Sequence, residues 1–353
     1  MVFIEKFNYL INFFYYFLII FKYFLFILIY FRFDKNKNIS INTYMKKIRI
    51  GIVGYGNLGK SVEEKLQKDK RFKLVCIFSR RSVSSVFKTP CDKFENIENY
   101  KRKIDIMCLC SGSKTDIEEQ AFLVAKHFHT IDSFDNHAHI KDYHRSLDEA
   151  NKKNKRCSII SCGWDPGLFS LMRALTKAVD HKYETFWGKG VSQGHSQALR
   201  ALSGVDDAIE YTLPVRKALK EAQEGHELNE KSKHQRLCFV AAKKGVNKRE
   251  LCQEIRSMPD YFEGYKTIIK FCSAKKVEKL KTHMYHCGCV LSPNNQMRFE
   301  LNLDNNPRFT AQVVVAYCIA LYNLIKNKEY GAKTILAIPP SYLFLDQSFL
   351  TLV

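Results

Sequence analysis

Six residues, Gly54-Tyr55-Gly56-Asn57-Leu58-Gly59, limit the possible folds more than any other part of this 353-residue chain. They follow the apolar run Ile48–Val53 and precede residues 58–67, where Leu58, Val62 and Leu66 repeat at helical spacing. A GxGxxG alone is a weak signal; between a strand and a helix it is the signature of a dinucleotide-binding turn. Gly54 permits the tight turn, Gly56 lets a pyrophosphate approach the main chain, and Gly59 lets helix and strand pack closely. Tyr55, Asn57 and Leu58 complete the loop, and the helix N-terminus adds free N–H groups and partial positive charge.

The chain beyond this point keeps alternating. Strand-like runs lie at residues 72–78, 104–110, 130–131 and 157–161, with helical patterns at 117–127 and 142–151 between them. Such alternation with short connections predicts a Rossmann-type doubly wound parallel sheet. After Pro166 the texture changes. A helix over residues 168–179 leads to strand-like runs at 183–187, 235–242, 265–271 and 297–303, with charged helical stretches at 215–223 and 248–257. This predicts an α+β domain with a mixed sheet and helices on one face. The apolar helix over residues 309–325 is expected to return to the first domain. The expected fold class is therefore α/β, with residues 45–163 and 306–353 binding the dinucleotide and residues 164–305 forming the second domain.

Ligands in such sheets bind outside the carboxyl ends of the strands. The second strand ends in Ser79-Arg80-Arg81, where an NAD enzyme would carry an acid for the ribose hydroxyls. Two guanidiniums there suit the 2′-phosphate of NADP, through forked hydrogen bonds. Cys110-Ser111-Gly112-Ser113 and Asp132-Ser133-Phe134-Asp135 follow two further strand ends, where small residues admit a cofactor. Cys162-Gly163-Trp164-Asp165-Pro166-Gly167 reads two ways. Asp165 before Pro166 has the form of a helix N-cap with proline at the first helical position. The same segment stands at a strand end and a domain boundary, where Asp135, Asp165 and the Trp164 indole would attract an ammonium substrate.

The charge balance, 56 Lys+Arg against 36 Asp+Glu, gives +20. Acids are interspersed with the bases and no basic face carries interleaved aromatics after residue 45, so nucleic acid is not an expected partner. The twelve cysteines include several in apolar runs, as buried thiols of a protein in a reducing cytosol do. His286-Cys287-Gly288-Cys289 is not answered by a second ligand pair at zinc spacing, so no metal is expected. Residues 1–44 are a different material, built almost wholly of Phe, Tyr, Ile, Leu, Lys and Asn. Residues 10–33 are long enough for a membrane span of about 20 residues. The rival reading is AT-rich upstream DNA read as protein, with the functional chain starting at Met45; no membrane partner is expected unless this segment is real.

At these motifs the sequence resembles the meso-diaminopimelate dehydrogenase family of NADP-dependent amino-acid dehydrogenases. The likeness rests on residues 52–59, Phe78-Ser79-Arg80-Arg81, Gly163-Trp164-Asp165-Pro166-Gly167 and Thr185-Phe186-Trp187-Gly188. It continues through Ser192-Gln193-Gly194-His195-Ser196, Leu213-Pro214, Met258-Pro259-Asp260-Tyr261-Phe262 and Asp304-Asn305-Asn306-Pro307, and covers essentially all of residues 45–353. The resemblance implies reversible oxidative deamination of the D-centre of meso-2,6-diaminopimelate to L-2-amino-6-oxopimelate and ammonia, in a cytoplasmic homodimer. It implies that Asp135, Trp164, Asp165, Trp187 and Gln193 lie at the substrate, and that Thr212, Arg236, His286 and Asn306 hold its unreactive end. Asp135 and Asp165 are both candidates for proton acceptor. The family's Rossmann crevice implies cofactor contacts from residues 54–58, 79–81, 110–113, 132–134 and 162–166. Cys287 and Cys289 depart from the family pattern around His286. Rival functions are another NADP-dependent imine or lysine-pathway reductase, and a non-catalytic NADP sensor.

Overall fold

Strand β1 (Ile48–Val53) is buried along nearly its whole length, which accounts for its unbroken apolar run: a parallel strand is covered on both faces. The computed structural model describes residues 46–112, 116–283, 285–294 and 296–353. Both readings of residues 1–44, and the expectation for Ser113, lie outside them.

Helix α1 (Asn57–Gln67) follows, then β2 (Phe72–Ser79), the short β3 (Cys91–Lys93), β4 (Ile106–Leu109), α2 (Ile117–Ala125), β5 (His129–Asp132), α3 (Ile140–Asn154) and β6 (Cys157–Ile160). The second part contains α4 (Leu168–Val179), β7 (Glu184–Trp187), β8 (Gly190–Ser192), α5 (Gln193–Arg200), β9 (Val205–Pro214), α6 (Arg216–Gln223), β10 (His234–Ala242), α7 (Lys248–Arg256), β11 (Lys266–Phe271), α8 (Ala274–Lys281), β12 (His286–Ser292) and β13 (Met297–Leu303). Helix α9 (Asn306–Lys326) and β14 (Gly331–Thr334) close the chain order.

The first sheet has seven strands in the order β14-β6-β5-β4-β1-β2-β3, all paired in parallel. Side chains of α1 and α9 fill one face, including Val62, Leu66, Val314 and Leu321. Ala121 and Val124 of α2 and Tyr143 and Leu147 of α3 fill the other. This is the expected doubly wound α/β sandwich, with its strand order reversing at β1. Helix α9 is the one described helix long and apolar enough to cross a membrane. Its apolar side chains are spent on the sheet instead.

The second part holds two sheets where one mixed sheet was expected. β11-β10-β9-β8 is mixed, with β10 and β11 parallel and the other pairs antiparallel. β13-β12-β7 is wholly antiparallel. The chain changes sheets at Gly188, whose φ of +94° and contact with the Thr212 carbonyl leave no room for a side chain. Strands β9 and β12 have no counterpart among the strand-like runs of the sequence: acids interrupt β9, and β12 opens on His-Cys-Gly-Cys.

Asp132 ends β5. Its carboxylate does not face the strand-end crevice; it is fully buried and accepts from Tyr143 Oη at 2.7 Å and from the amides of Phe134 and Ser161 at 3.0 Å each. Burial raises its pKa against those donors. It ties the ends of β5 and β6 together, and so sets the two loops that follow them. Phe134, Cys162 and Cys110 likewise turn their side chains inward, leaving main chain for the crevice.

Candidate active site

The strand order reverses between β2 and β4, on either side of β1, and the loops leaving β1 and β4 meet there. The Gly54 amide donates to the Phe78 carbonyl at 2.9 Å, and the Cys110 amide donates to Val53 at 2.7 Å. A Cβ on Gly54 would meet Ser111 Oγ at 2.6 Å, and one on Gly59 would meet the Gly54 carbonyl oxygen at 2.2 Å. A Cβ on Gly56 would meet nothing within 4 Å. A side chain is thus excluded at Gly54, in the turn, and at Gly59, where the helix packs on it, while Gly56 leaves an open cradle at the N-terminus of α1, where the first amides lack intrahelical acceptors. That cradle fits a pyrophosphate.

Around it, Asn57 and Gly112 are exposed, and Tyr55, Leu58, Ser79, Ser111 and Ser133 are partly so. Tyr55 Oη donates to the buried Glu63 carboxylate and accepts from the Val86 amide. Ser85 and Thr89 hydroxyls donate to the same carboxylate. Glu63 therefore binds the fingerprint loop to the segment that follows Arg80 and Arg81. Both arginines are exposed at the end of β2, where a 2′-phosphate would need them. Arg80 already has a partner, Asp116, at 2.6 Å.

The loop after β6 brings Trp164 and Asp165 to the same end of the sheet. Asp165 is not the cap of α4: that helix starts at Leu168, with Gly167 at the cap. The carboxylate is drawn instead to Arg173, two turns along the helix, which donates from Nη2 at 2.5 Å and from Nη1 at 3.1 Å. Trp187 Nε1 and Ser170 Oγ donate to it as well. A forked guanidinium outcompetes backbone amides for a carboxylate. Trp187 itself is half-buried, with its amide donating to His234 Nε2 at 2.9 Å. Asp135 is exposed on the neighbouring loop.

From Trp164 the cluster continues into the second part of the chain. The Trp164 and His286 rings lie 4.8 Å apart. His286, buried on β12 with Nδ1 2.9 Å from the Cys287 carbonyl, packs against Gly190, which pairs with Thr212 across β8 and β9. Arg236 Nη1 donates to Thr212 Oγ1 at 2.8 Å, and its guanidinium lies 4.3 Å from the Tyr265 ring centre. Thr212 and Arg236 are both buried, and Arg236 Nε and His195 Nε2 have no protein partner. Burial lowers the pKa values of His286, His195 and His234, the last two to about 3. These imidazoles are neutral, and Arg236 carries the charge.

Gln193 starts α5 and is exposed, whereas Asn306 starts α9 half-buried and accepts from Thr310 Oγ1 at 3.2 Å. Thr310 also faces Gly163, so Asn306 stands beside the Trp164 loop. Among the described residues no group of three His, Cys, Asp or Glu is placed to hold a metal.

Two family models match successive parts of the chain. Residues 48–160 match the oxidoreductase family NAD-binding Rossmann fold, and residues 163–305 match the diaminopimelic acid dehydrogenase C-terminal domain. The chain is 43% identical over 310 residues to the meso-diaminopimelate D-dehydrogenase of Ureibacillus thermosphaericus, covering 84% of this chain and 95% of that protein. The chain belongs to the meso-diaminopimelate D-dehydrogenase family. It is 40% identical over 309 residues to the Corynebacterium glutamicum member, with 85% and 96% covered. A C. glutamicum DAP dehydrogenase structure in complex with DAP matches with a TM-score of 0.82 and 37% identity over 87% of this chain and 99% of that one. An engineered D-amino acid dehydrogenase bound to NADP+ matches at 0.79 and 36%, with 87% and 99% covered.

Within this family frame, sequence reading passed over Arg173 and Glu210. Arg173 stands eight residues after Asp165, a spacing that means contact only once the helix start is known. Glu210 interrupts an apolar run between Ile209 and Tyr211, a signal visible only if β9 is recognised as a strand. Replacing Arg173 with Met should strip Asp165, 5% exposed in its side chain, of its charge partner. Breaking a buried pair from one side costs about 3–5 kcal/mol. Urea unfolding of the full chain should show that loss, and the double variant Arg173→Met/Asp165→Asn should recover most of it.

Proposed function

We propose that this protein catalyses the reversible NADP-dependent oxidative deamination of the D-centre of meso-2,6-diaminopimelate, giving L-2-amino-6-oxopimelate and ammonia. The observation that carries this reading is a buried carboxylate receptor, Arg236 with Thr212, joined through His286 to an indole and a carboxylate at the mouth of the dinucleotide fold. A substrate with an amino-acid group at each end suits such a site. The known members of the family that match the chain over most of their length carry the same name.

NADP, when bound, takes up the hydride from the substrate carbon. Residues 54–58 would hold the pyrophosphate, Arg80 and Arg81 the 2′-phosphate, and Ser79, Ser111, Ser133 and the main chain of residues 110, 112, 132, 134 and 162–166 the remainder. Arg236, Thr212, His286 and Asn306 would fix the L-end, so that only the D-centre reaches the cofactor. Positioning of this kind is where most of the rate is gained. Asp165 already accepts from Arg173, Trp187 and Ser170, which nearly fills a carboxylate's acceptor positions. Asp135 or Asp165 would take the ammonium proton, and Asp165 also aims Trp187. Gln193, at the exposed start of α5, would lie at the rim.

In the same reading residues 45–163 and 306–353 form the dinucleotide-binding domain, and residues 164–305 bind substrate and pair two copies. The return of α9 and β14 to the parallel sheet supports that division. A cytoplasmic site of action fits twelve unpaired cysteines.

The direct test is NADP reduction by the purified full chain with separate diaminopimelate stereoisomers. The meso isomer should be oxidised and the LL isomer should not; a protein inactive on all of them would end this reading. Replacing Arg80 and Arg81 together with Ala should raise the KM for NADP far more than that for NAD, each lost charged hydrogen bond being worth about 1.5–3 kcal/mol. Equal effects on both cofactors would remove the phosphate role. Arg236→Met should lower kcat/KM for the meso isomer at least about a hundredfold, as a buried charged contact worth about 2–5 kcal/mol disappears. The same change should admit D-amino acids with apolar side chains, which otherwise leave Arg236 unpaired; steady-state rates on both substrates check it.

A further inference from the structure

Behind the carboxylate receptor stands a second carboxylate that the reaction does not require. Glu210 is fully buried on β9. Thr212 Oγ1 lies 3.2 and 3.3 Å from its two oxygens, and Arg236 Nη1 lies 4.0 Å from Oε1. An ionised Glu210 would be a poor neighbour for a site that must bind a negative charge. It would offset the charge of Arg236 and claim the hydroxyl proton of Thr212.

A threonine hydroxyl has one proton to give and two lone pairs to receive with. Arg236 fills one lone pair. With Glu210 ionised, the proton goes to Glu210 and Thr212 has nothing left to donate. With Glu210 neutral, its own O–H fills the second lone pair, and the Thr212 proton is released. We propose that Glu210 is a positioning residue that works in its neutral form, donating to Thr212 Oγ1 so that Thr212 and Arg236 both present donors to the distal carboxylate of the substrate. This rests on the pocket assignment given under the proposed function and adds its proton requirement: substrate binding to enzyme with ionised Glu210 draws one proton from solvent.

The surroundings of Glu210 favour that state. Burial raises its pKa to about 8, against the opposing effects of Arg236 and Thr212. From β10, Arg236 and Cys238 face it, Cys238 directly opposite in register; burial, and then Glu210 itself, push that thiol up. From α5, Ser196 Oγ accepts from the Glu210 amide at 2.9 Å, and His195 nearby is held neutral. From β8, Ser192 stands opposite. Glu184 of β7 is engaged by Lys233. Helix α8 packs through Val277 on the other face of β9, with Ile209 and Tyr211, and its Lys281 pairs with Asp207. Arg236 is thus the charged group brought against Glu210, and it is the one whose charge the substrate needs.

The test compares wild type and Glu210→Gln, whose amide donates to Thr212 at every pH, in initial rates on meso-diaminopimelate at saturating NADP between pH 7.5 and 9.5. An affinity limited by the fraction of competent enzyme falls as that fraction falls. The KM of the wild type should therefore rise at least about tenfold more than that of Glu210→Gln over this range, with parallel kcat profiles in the two proteins. Parallel KM profiles would overturn the proposal. Calorimetric titration of meso-diaminopimelate into the NADPH-saturated wild type at pH 8.5, in buffers of different ionisation enthalpy, should show a fractional uptake of proton. That measurement decides the matter even if the variant fails to fold, and zero uptake would also overturn it. A wild type that oxidises no diaminopimelate isomer would instead remove the functional reading on which the proposal rests.

Discussion

A carboxylate taken out of water must be met by donors or keep its proton, and this structure uses that requirement to place its loops. Glu63 collects the hydroxyls of Tyr55, Ser85 and Thr89, and so joins the glycine loop to the chain beyond Arg81. Asp132 collects one hydroxyl and two amides, and sets the ends of β5 and β6. Asp165 collects Arg173, Trp187 and Ser170, and brings the first turns of α4 together with β7. Each group is satisfied from other elements, so none can be removed without loosening a strand-end loop.

The site that these anchors hold has unlike ends. Asp135 and Asp165, with the Trp164 and Trp187 indoles, stand at the carboxyl edge of the parallel sheet. Arg236, buried against Tyr265 and bonded to Thr212, stands in the other part of the chain. The neutral histidines between them add polar groups without adding charge.

Much of this was legible before any coordinates. The glycine turn, the paired arginines and the Trp-Asp-Pro-Gly segment are local patterns, and each sits where its spacing places it. Strands β9 and β12 were harder. Asp206, Asp207 and Glu210 make β9 look exposed, and only the pairing with β10 shows that Glu210 faces inward. His286-Cys287-Gly288-Cys289 has the look of a loop or a metal site, yet it is a buried strand held between β7 and β13. Asp165 before Pro166 has the form of a helix cap, and a guanidinium eight residues away overrides it.

The order of residues determined the class of fold, the glycine turn and the residue types on the strand-end loops, because turn chemistry and periodicity act over a few neighbours. Partnership was decided elsewhere. Arg80 with Asp116, Asp132 with Tyr143, Asp165 with Arg173 and Arg236 with Thr212 and Glu210 are contacts between side chains on different elements or different turns. For Asp132 and Glu210, burial as well as identity sets how readily the carboxyl ionises. The same glutamate is an ordinary ionised surface group in an exposed strand and a proton donor in a closed one. Only packing, by excluding water from β9, pushes the Glu210 carboxyl toward the second.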